Sequence, residues 1–329
     1  MHAWKLDESP GSYSWGEVPD PSVGSDDVRV RVVASALNHM DLWLTRGLPK
    51  PKAFPHVPGC DVAGVVESVG TTVTHVAPGD EVVVNPSVVP LDAVVAHGID
   101  APAAGKLEIV GEQRWGGHGE LVVVPGRNVV ARPAGLDWET AAAYPMAYLT
   151  AWRMLRRARV RAGESVLVVG VGGGVSTAAL ALAVRLGAVV YATSRDDEKR
   201  KRAVELGAAD AFDSNEDWPV RVDVVVETVG PATWERSIRA LKPAGRLVVA
   251  GGTSGPKVEL NLPRLFFKQI EVIGSTTGSY EEFADVTELV AQGVPVQVDE
   301  VYDLDDYPAA IERLHAGAQL GKIVLRHPG

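Results

Sequence analysis

The feature that most constrains the fold is a glycine-rich turn between a short valine-rich run and an apolar helical stretch. The turn reads Gly170-Val171-Gly172-Gly173-Gly174-Val175-Ser176, and Thr177–Leu186 follows it. Glycine lets the backbone turn sharply and lets a phosphate group approach the free N–H groups at a helix start. The strand, turn and helix together predict a dinucleotide-binding βα unit, although a strict motif would have a third glycine near Val175 or Ser176.

Strand-like and helix-like stretches alternate in the middle of the chain, which predicts a doubly wound parallel sheet. Residues 1–128 instead carry short valine-rich runs that end at Gly, Pro or Asn, a pattern typical of an antiparallel, barrel-like β domain. The last predicted helix (307–319) and strand (321–326) lie far from that domain in sequence. A lone terminal strand needs a sheet to join, so we expect it to return to an earlier one.

Charge and cysteine content exclude several classes of protein. The 329 residues include 32 Lys and Arg against 42 Asp and Glu, a net charge of −10. An acidic surface repels nucleic-acid backbones and anionic lipid, so we expect neither nucleic acid nor membrane as a partner. Cys60 is alone, and the N-terminus MHAWKLDESPGS lacks an apolar signal core. We therefore expect a cytoplasmic protein without intrachain disulfides.

The residues at the end of the second strand of the α/β region indicate whether NADH or NADPH is bound. An NAD site typically places Asp or Glu about 20 residues after the glycine turn, where it accepts from the ribose 2′-hydroxyl. Here the strand ends in Thr193-Ser194-Arg195. Ser194, Arg195 and Lys199 can donate to a 2′-phosphate, so NADPH is predicted over NADH. Asp196 and Asp197 weaken this prediction if they neutralise Arg195.

Several segments together resemble the medium-chain dehydrogenase/reductase superfamily, and the resemblance covers essentially the whole chain. Besides the glycine turn they are ALNHMDLWLTRG (36–47), PHVPGCDVAGVVESVG (55–70), APGDEVVVNP (77–86), GGHGELVVVP (116–125), AAAYPMAYLTAW (141–152) and GKIVL (321–325). The resemblance implies an α/β protein. It has a GroES-like, β-barrel-type catalytic domain (1–128 and 280–329) and a Rossmann cofactor domain (129–279), with the active site in the cleft between them.

The positions of the zinc ligands in this superfamily hold other residues here. The first Cys corresponds to Asn38, the His to Cys60 and the last Cys to Met146. An amide and a thioether are poor Zn²⁺ ligands, so the resemblance implies no metal site. Histidines 39, 56 and 118 remain alternative ligands of a rebuilt site.

The stretch Pro86–Gly116 matches the length of the superfamily's structural zinc lobe but contains no cysteine. We expect apolar packing to hold it instead, through Val88, Val89, Leu91, Val94, Leu107 and Ile109. Such lobes often form subunit contacts, so a homodimer or homotetramer is expected.

The zinc-less branch of the family resembles quinone oxidoreductases and enone reductases, and its site roles are carried over by position. Asn38 and Asp41 are expected to line the nicotinamide pocket, with Tyr144 as a further candidate hydrogen-bond donor. The expected cofactor-binding residues are Thr150, Gly172, Gly173, Gly174, Val175, Ser194, Arg195, Lys199, Gly252, Ser275 and Lys322.

These residues favour an NADPH-dependent oxidoreductase that reduces a small quinone or α,β-unsaturated carbonyl without zinc. Incoming charge delocalises in such acceptors, so a hydrogen-bond donor worth a few kcal/mol suffices where a simple ketone would need a metal. Two alternatives remain open: a zinc-dependent alcohol dehydrogenase with unusual ligands, and a non-enzymatic NADPH-binding protein.

Overall fold

Two large β-sheets organise the chain, and each is the centre of its own unit. The computed structural model describes residues 1–328. The first unit comprises residues 1–146, 278–293 and 297 onward, and the second comprises residues 147–277 and 294–296.

Strands and helices follow one another along the chain with short connections. The strands are β1 (His2–Lys5), β2 (Ser14–Glu17), β3 (Asp27–Ala36), β4 (Asp61–Val69), β5 (Glu81–Val84), β6 (Ser87–Val88), β7 (Glu108–Ile109), β8 (Leu121–Pro125), β9 (Val129–Ala131), β10 (Ser165–Val168), β11 (Val189–Ser194), β12 (Asp210–Asp213), β13 (Val222–Glu227), β14 (Leu241–Val249), β15 (Glu271–Gly274), β16 (Val298–Asp303) and β17 (Lys322–Arg326). The α-helices are α1 (His39–Leu44), α2 (Leu91–His97), α3 (Trp138–Ala143), α4 (Pro145–Arg157), α5 (Gly174–Arg185), α6 (Asp197–Glu205), α7 (Pro231–Ala240), α8 (Leu262–Phe267), α9 (Tyr280–Ala291) and α10 (Tyr307–His315).

The first unit is built on a seven-stranded sheet in the order β16-β17-β3-β4-β5-β9, with β8 also paired to β3. Alternation along β3 explains its role, because Val28, Val30 and Val32 are buried while the intervening arginines are not. The expectation that the last strand returns to this sheet is confirmed, since β17 pairs antiparallel with β3. That pairing brings the start of β17 beside the end of β3, where α1 begins.

The boundary between the units lies later than the sequence predicted. Residues 129–146 were assigned to the Rossmann domain, but they belong to the first unit. The physical reason is pairing and packing: β9 pairs antiparallel with β5, and α3 packs on β3, β4 and β17. As expected, Pro145 interrupts the helical stretch, because α3 ends at Ala143 and α4 begins at Pro145.

The second unit is a six-stranded parallel sheet in the order β12-β11-β10-β13-β14-β15. The chain starts in the middle with β10, builds outwards to β12, then returns to build β13 to β15 on the other side. This order is that of the Rossmann fold, in which a ligand crevice forms at the carboxyl ends of the strands flanking the reversal. Here those strands are β10 and β13.

The stretch 86–116 is held partly as expected. Val88 and Val89 are buried, and Val94 and Leu107 pack around the cluster of Val89, Ala93 and Ala101. Leu91 was expected to pack inside as well, but it is 61% exposed, because the start of α2 faces away from the cluster. Within residues 1–328, no helix combines the length and apolar character that a bilayer crossing requires.

Candidate active site

The glycine turn adopts the geometry that a phosphate site needs. Gly170 has φ +74° and Gly172 has φ +156°, conformations that L side chains rarely adopt. A Cβ on Gly173 would meet nothing within 4 Å, so the backbone is open on this side. Gly173 is also the N-cap of α5 and supplies no side-chain cap.

The first N–H groups of α5 are therefore available to an anion. Gly174, Val175 and Ser176 occupy the first turn, where backbone N–H groups have no intrahelical acceptor. In the described chain none of the three N–H groups has a hydrogen-bond partner outside the helix. The Ser176 hydroxyl accepts from Gly172 N at 3.2 Å and so replaces part of the close packing that a third glycine would give. This arrangement fits the pyrophosphate of a dinucleotide.

The end of β11 presents donors rather than carboxylates. The Ser194 hydroxyl accepts from Asp196 N at 3.2 Å, which leaves its own proton available. Asp196 caps α6 by accepting from Lys199 N at 3.1 Å, and Asp197 pairs with Arg200 and Lys201. Neither aspartate forms an ion pair with the exposed Arg195, within the part of the chain that the structure describes.

Arg200 is a residue at this strand end to which the sequence analysis gave no role. Its Nη1 donates to Ser194 O at 2.8 Å, and its guanidinium also reaches Asp213 and Asp197. Arg200 thus fixes the backbone that carries Ser194 and Arg195. Its separation of six residues from Ser194 gave no local signal, since the contact depends on how α6 packs against β11.

The other predicted cofactor residues of the second unit lie on elements around the same sheet. Gly252 follows β14, and Ser275 follows β15 and donates its N–H to Val249 O at 2.8 Å. Because all strands are parallel, these residues share the sheet edge that carries the glycine turn and Ser194. Thr150 is buried on α4.

A buried polar network surrounds Asn38 in the first unit. The Asn38 Nδ2 group donates to Asp61 Oδ2 at 2.8 Å and to Cys60 Sγ at 3.0 Å. Its Oδ1 accepts from Lys322 Nζ at 2.7 Å. The orientation of the amide is fixed by this last bond, because an ammonium group only donates.

Lys322 uses all three of its ammonium protons inside the first unit. Its Nζ donates to Leu37 O at 2.6 Å, to Asn38 Oδ1 and to Asp61 Oδ2 at 2.8 Å. Lys322 and Asp61 are 3% and 0% exposed, so this is a buried ion pair. A contact between Lys322 and the cofactor stays a prediction, and it would require one of these bonds to be exchanged.

The residues at the superfamily's zinc positions do not fit Zn²⁺. The Asn38 amide group donates hydrogen bonds to Cys60 and Asp61, and the Lys322 ammonium group forms an ion pair with Asp61. Both potential ligands therefore face hydrogen-bond donors. Burial raises the pKa of the Cys60 thiol well above its usual range, whereas a zinc ligand must be a thiolate. Met146 contributes its backbone N–H, which donates to Asp61 Oδ1 at 2.7 Å. Within the described residues, no three His, Cys, Asp or Glu side chains cluster as a metal site would require.

Asp41 lies beneath Asn38 and is fully buried. Its Oδ2 accepts from Asn38 N at 2.8 Å and lies 3.6 Å from His118 Nε2. His118 Nδ1 in turn bonds the Ser35 hydroxyl at 2.9 Å. Asp41 therefore positions Asn38 through the backbone at the start of α1, and its predicted place in the nicotinamide pocket stays a prediction.

Tyr144 lies in a different environment from Asn38. Its hydroxyl forms a 3.1 Å hydrogen bond with Thr287 Oγ1, and its ring stacks on Phe283 of α9. Burial raises the pKa of Tyr144 well above its usual value, so it is a weak acid here. The structure thus brings Asn38, Asp41 and Lys322 together, and it places the Tyr144 hydroxyl in a separate pair.

Known protein families and structures match both units of the chain. The family model described as alcohol dehydrogenase GroES-like domain matches residues 24–134, and that described as zinc-binding dehydrogenase matches residues 174–292. An acryloyl-coenzyme A reductase of Metallosphaera sedula is 30% identical, with 95% of this chain and 96% of the relative covered. A quinone oxidoreductase of Mus musculus is 30% identical, with 94% and 91% covered.

A solved structure described as an NAD-dependent alcohol dehydrogenase is similar over 99% of both chains, with a TM-score of 0.93 and 35% identity. The similarity of sequence and structure therefore extends through both units. The chain belongs to the medium-chain dehydrogenase/reductase superfamily, in its quinone oxidoreductase-like branch, and is an NAD(P)H-dependent oxidoreductase.

Proposed function

We propose that this oxidoreductase uses NADPH to reduce a quinone or an α,β-unsaturated carbonyl compound, and that it does so without catalytic zinc. The observation that supports the proposal most is the buried ion pair of Lys322 with Asp61, because both residues bond the Asn38 amide, and Asn38 stands where the resemblance puts a zinc ligand. A site of this kind offers hydrogen bonds to an acceptor oxygen, but no Lewis acid.

The bound cofactor would supply a hydride, and the chain's own task is to orient the acceptor and stabilise charge on its oxygen. Asn38 is the proposed donor. Its amide nitrogen donates to Asp61 Oδ2, Ala36 O and Cys60 Sγ, and the bond to Cys60 is the most easily exchanged, because a thiol sulfur is the weakest of these acceptors. Asp41 holds the Asn38 backbone while the side chain turns.

A donor of this strength favours conjugated acceptors. One positioned hydrogen bond lowers a barrier by roughly 3–4 kcal/mol, which is less than a metal ion gives. The two relatives described above support this substrate class, since acryloyl thioesters and quinones are both conjugated carbonyl compounds.

The preference for NADPH rests on the end of β11. Ser194 offers a hydroxyl proton, and Arg195 offers a guanidinium that has no ion-pair partner among residues 1–328, since the adjacent aspartates are engaged elsewhere. A 2′-phosphate would accept from both, whereas neither side chain is the carboxylate that typically accepts from the 2′-hydroxyl of NADH. NADH is therefore the less favoured cofactor.

The proposal includes a homodimer or homotetramer as the working form. Strand β15 is an edge strand of the second sheet, and unpaired edges are sites of strand addition. The adjacent α8 exposes apolar side chains, with Phe266 59% and Phe267 81% exposed. An edge strand beside exposed phenylalanines supports a subunit contact at this face.

The test compares acceptors at fixed NADPH. We expect NADPH oxidation with 9,10-phenanthrenequinone or but-3-en-2-one to exceed that with butan-2-one by about a hundredfold or more in kcat/KM. Asn38→Ala should lower kcat for the enone by roughly tenfold to a thousandfold, as loss of one oxyanion donor does. Faster turnover of butan-2-one than of the enone would contradict the proposal.

A further inference from the structure

A loop with several basic residues follows α1 and ends at Cys60, which is hydrogen-bonded to the Asn38 side chain. The loop, residues 45–60, contains Arg46, Lys50 and Lys52 and no Asp or Glu, in a chain whose net charge is −10. The three cations are exposed. A local concentration of positive charge on an acidic protein favours an anionic ligand at that place.

Both ends of this loop lie at the Asn38 network. Helix α1 follows Asn38 directly, and the loop returns to Cys60, whose sulfur accepts from Asn38 Nδ2 at 3.0 Å. The start of the loop is held by two bonds, from Ser9 Oγ to Leu44 O at 2.6 Å and from Gly11 N to Thr45 O at 2.9 Å. The start of the loop is therefore fixed, and its last residue, Cys60, bonds the side chain at which the acceptor is proposed to react.

The three cations have no partner within residues 1–328, since neither an ion pair nor a side-chain hydrogen bond engages Arg46, Lys50 or Lys52. Other exposed cations of the same unit are paired, such as Lys106 with Asp92 at 2.6 Å and Arg114 with Glu108 at 2.7 Å. Pro51, between the two lysines, is buried while Lys50 and Lys52 are exposed. The proline thus anchors the loop and leaves both ammonium groups in solvent.

The same loop also carries apolar side chains, which follow or alternate with the cations in sequence. Leu48 is 64% exposed, and Phe54 is partly buried against the cluster that contains Cys60. Met146 packs on the same cluster. A ligand with phosphates at one end and an apolar acyl group at the other matches this order of side chains.

We propose that Arg46, Lys50 and Lys52 bind the phosphate groups of a conjugated acyl thioester of the coenzyme A type, and that such a thioester is the substrate. The proposal rests on the proposed function, because it names the substrate class of the same site. Because the three cations lie within seven residues of one loop, a carrier with several phosphates can bind more than one of them, whereas a quinone or simple enone binds none. Lysine and arginine both bind phosphate through charge-assisted hydrogen bonds.

The experiment measures KM and kcat for crotonyl-coenzyme A, crotonyl-N-acetylcysteamine thioester and 9,10-phenanthrenequinone at saturating NADPH. The variant is R46A/K50A/K52A, and the control R31A/K106A/R221A removes the same charge elsewhere. We expect the loop variant to raise KM for crotonyl-coenzyme A about tenfold or more and to leave the other two substrates within about twofold. Raising ionic strength should raise the same KM in the parent and not in the loop variant.

Three results would overturn the proposal: an unchanged KM for crotonyl-coenzyme A, an equal rise for both thioesters, or an equal rise in the control variant. If the parent enzyme reduces the quinone but not crotonyl-coenzyme A, the thioester is not its substrate, although the proposed reductase function still stands. A parent that reduces none of the three would contradict the proposed function itself.

Discussion

The polar region around Asn38 and the carboxyl edge of the second sheet use their donors in opposite ways. Around Asn38, buried charges satisfy one another, with Lys322, Asp61 and the Asn38 amide each bonded to the others. At the start of α5 the N–H groups have no acceptor among the residues that the structure describes, and Gly173 leaves the space beside them open. A buried charge without a partner is costly, so the charged groups around Asn38 are paired with one another; we call this the closed region. An anion site needs donors that are not already used, and the start of α5 has them; we call this the open region.

The largest expected effect is a loss of stability when the Lys322–Asp61 ion pair of the closed region is broken. Lys322→Met removes the cation and leaves the Asp61 carboxylate buried without its charge partner, which typically costs about 3–5 kcal/mol of the free energy of unfolding. Urea unfolding of the parent and the variant measures this loss. The control Lys106→Met breaks an exposed pair and should cost less than about 1 kcal/mol.

A second variant separates charge from packing. Adding Asp61→Asn to Lys322→Met removes the unpaired charge, so we expect it to recover at least half of the lost stability. A double variant as unstable as Lys322→Met alone would show that the ion pair is not what the network requires.

Filling the open region should weaken binding without unfolding the chain. At Gly173 φ is −82° and a Cβ meets nothing within 4 Å, so Gly173→Val is compatible with the fold. The valine would occupy the space of the pyrophosphate, and affinity for NADPH should fall more than tenfold, about 1.4 kcal/mol or more. Fluorescence titration with NADPH measures it.

The matched comparison at the same turn is Gly170→Val. Gly170 has φ +74°, and a Cβ there would lie 2.6 Å from the Val229 side chain. This variant should lose stability as well as binding. Unchanged cofactor affinity in a folded Gly173→Val protein would place the phosphate elsewhere.

The smallest effect concerns the choice between cofactors. We expect the parent to prefer NADPH by about tenfold to a few hundredfold in kcat/KM, less at high ionic strength. Arg195→Ala should lower NADPH efficiency by about tenfold with little change for NADH, and Ser194→Asp should reverse the preference. Lys201→Ala is the control, because Lys201 pairs with Asp197 and Glu198. Equal kcat/KM values for the two cofactors in the parent would show that Ser194 and Arg195 do not bind the 2′-phosphate of NADPH.

The sequence predicted best what depends on local pattern. The glycine turn, the alternation of β and α units and the break at Pro145 each follow from a few adjacent residues, and the structure has them where expected. The first unit extends to Met146 rather than ending at residue 128, because β9 and α3 take their place through contacts with distant strands. The pairing of Lys322 with Asp61 spans 261 residues and gave no periodic signal.

The central claim is that reduction of a conjugated acceptor here does not depend on a metal. The direct measurement is kcat/KM for NADPH with 9,10-phenanthrenequinone before and after exhaustive dialysis against chelator, with metal content determined by elemental analysis of the same samples. We predict equal activity in both samples and far less than one zinc per chain. A full equivalent of zinc that resists dialysis, or activity lost with the metal and restored by added Zn²⁺, would contradict it.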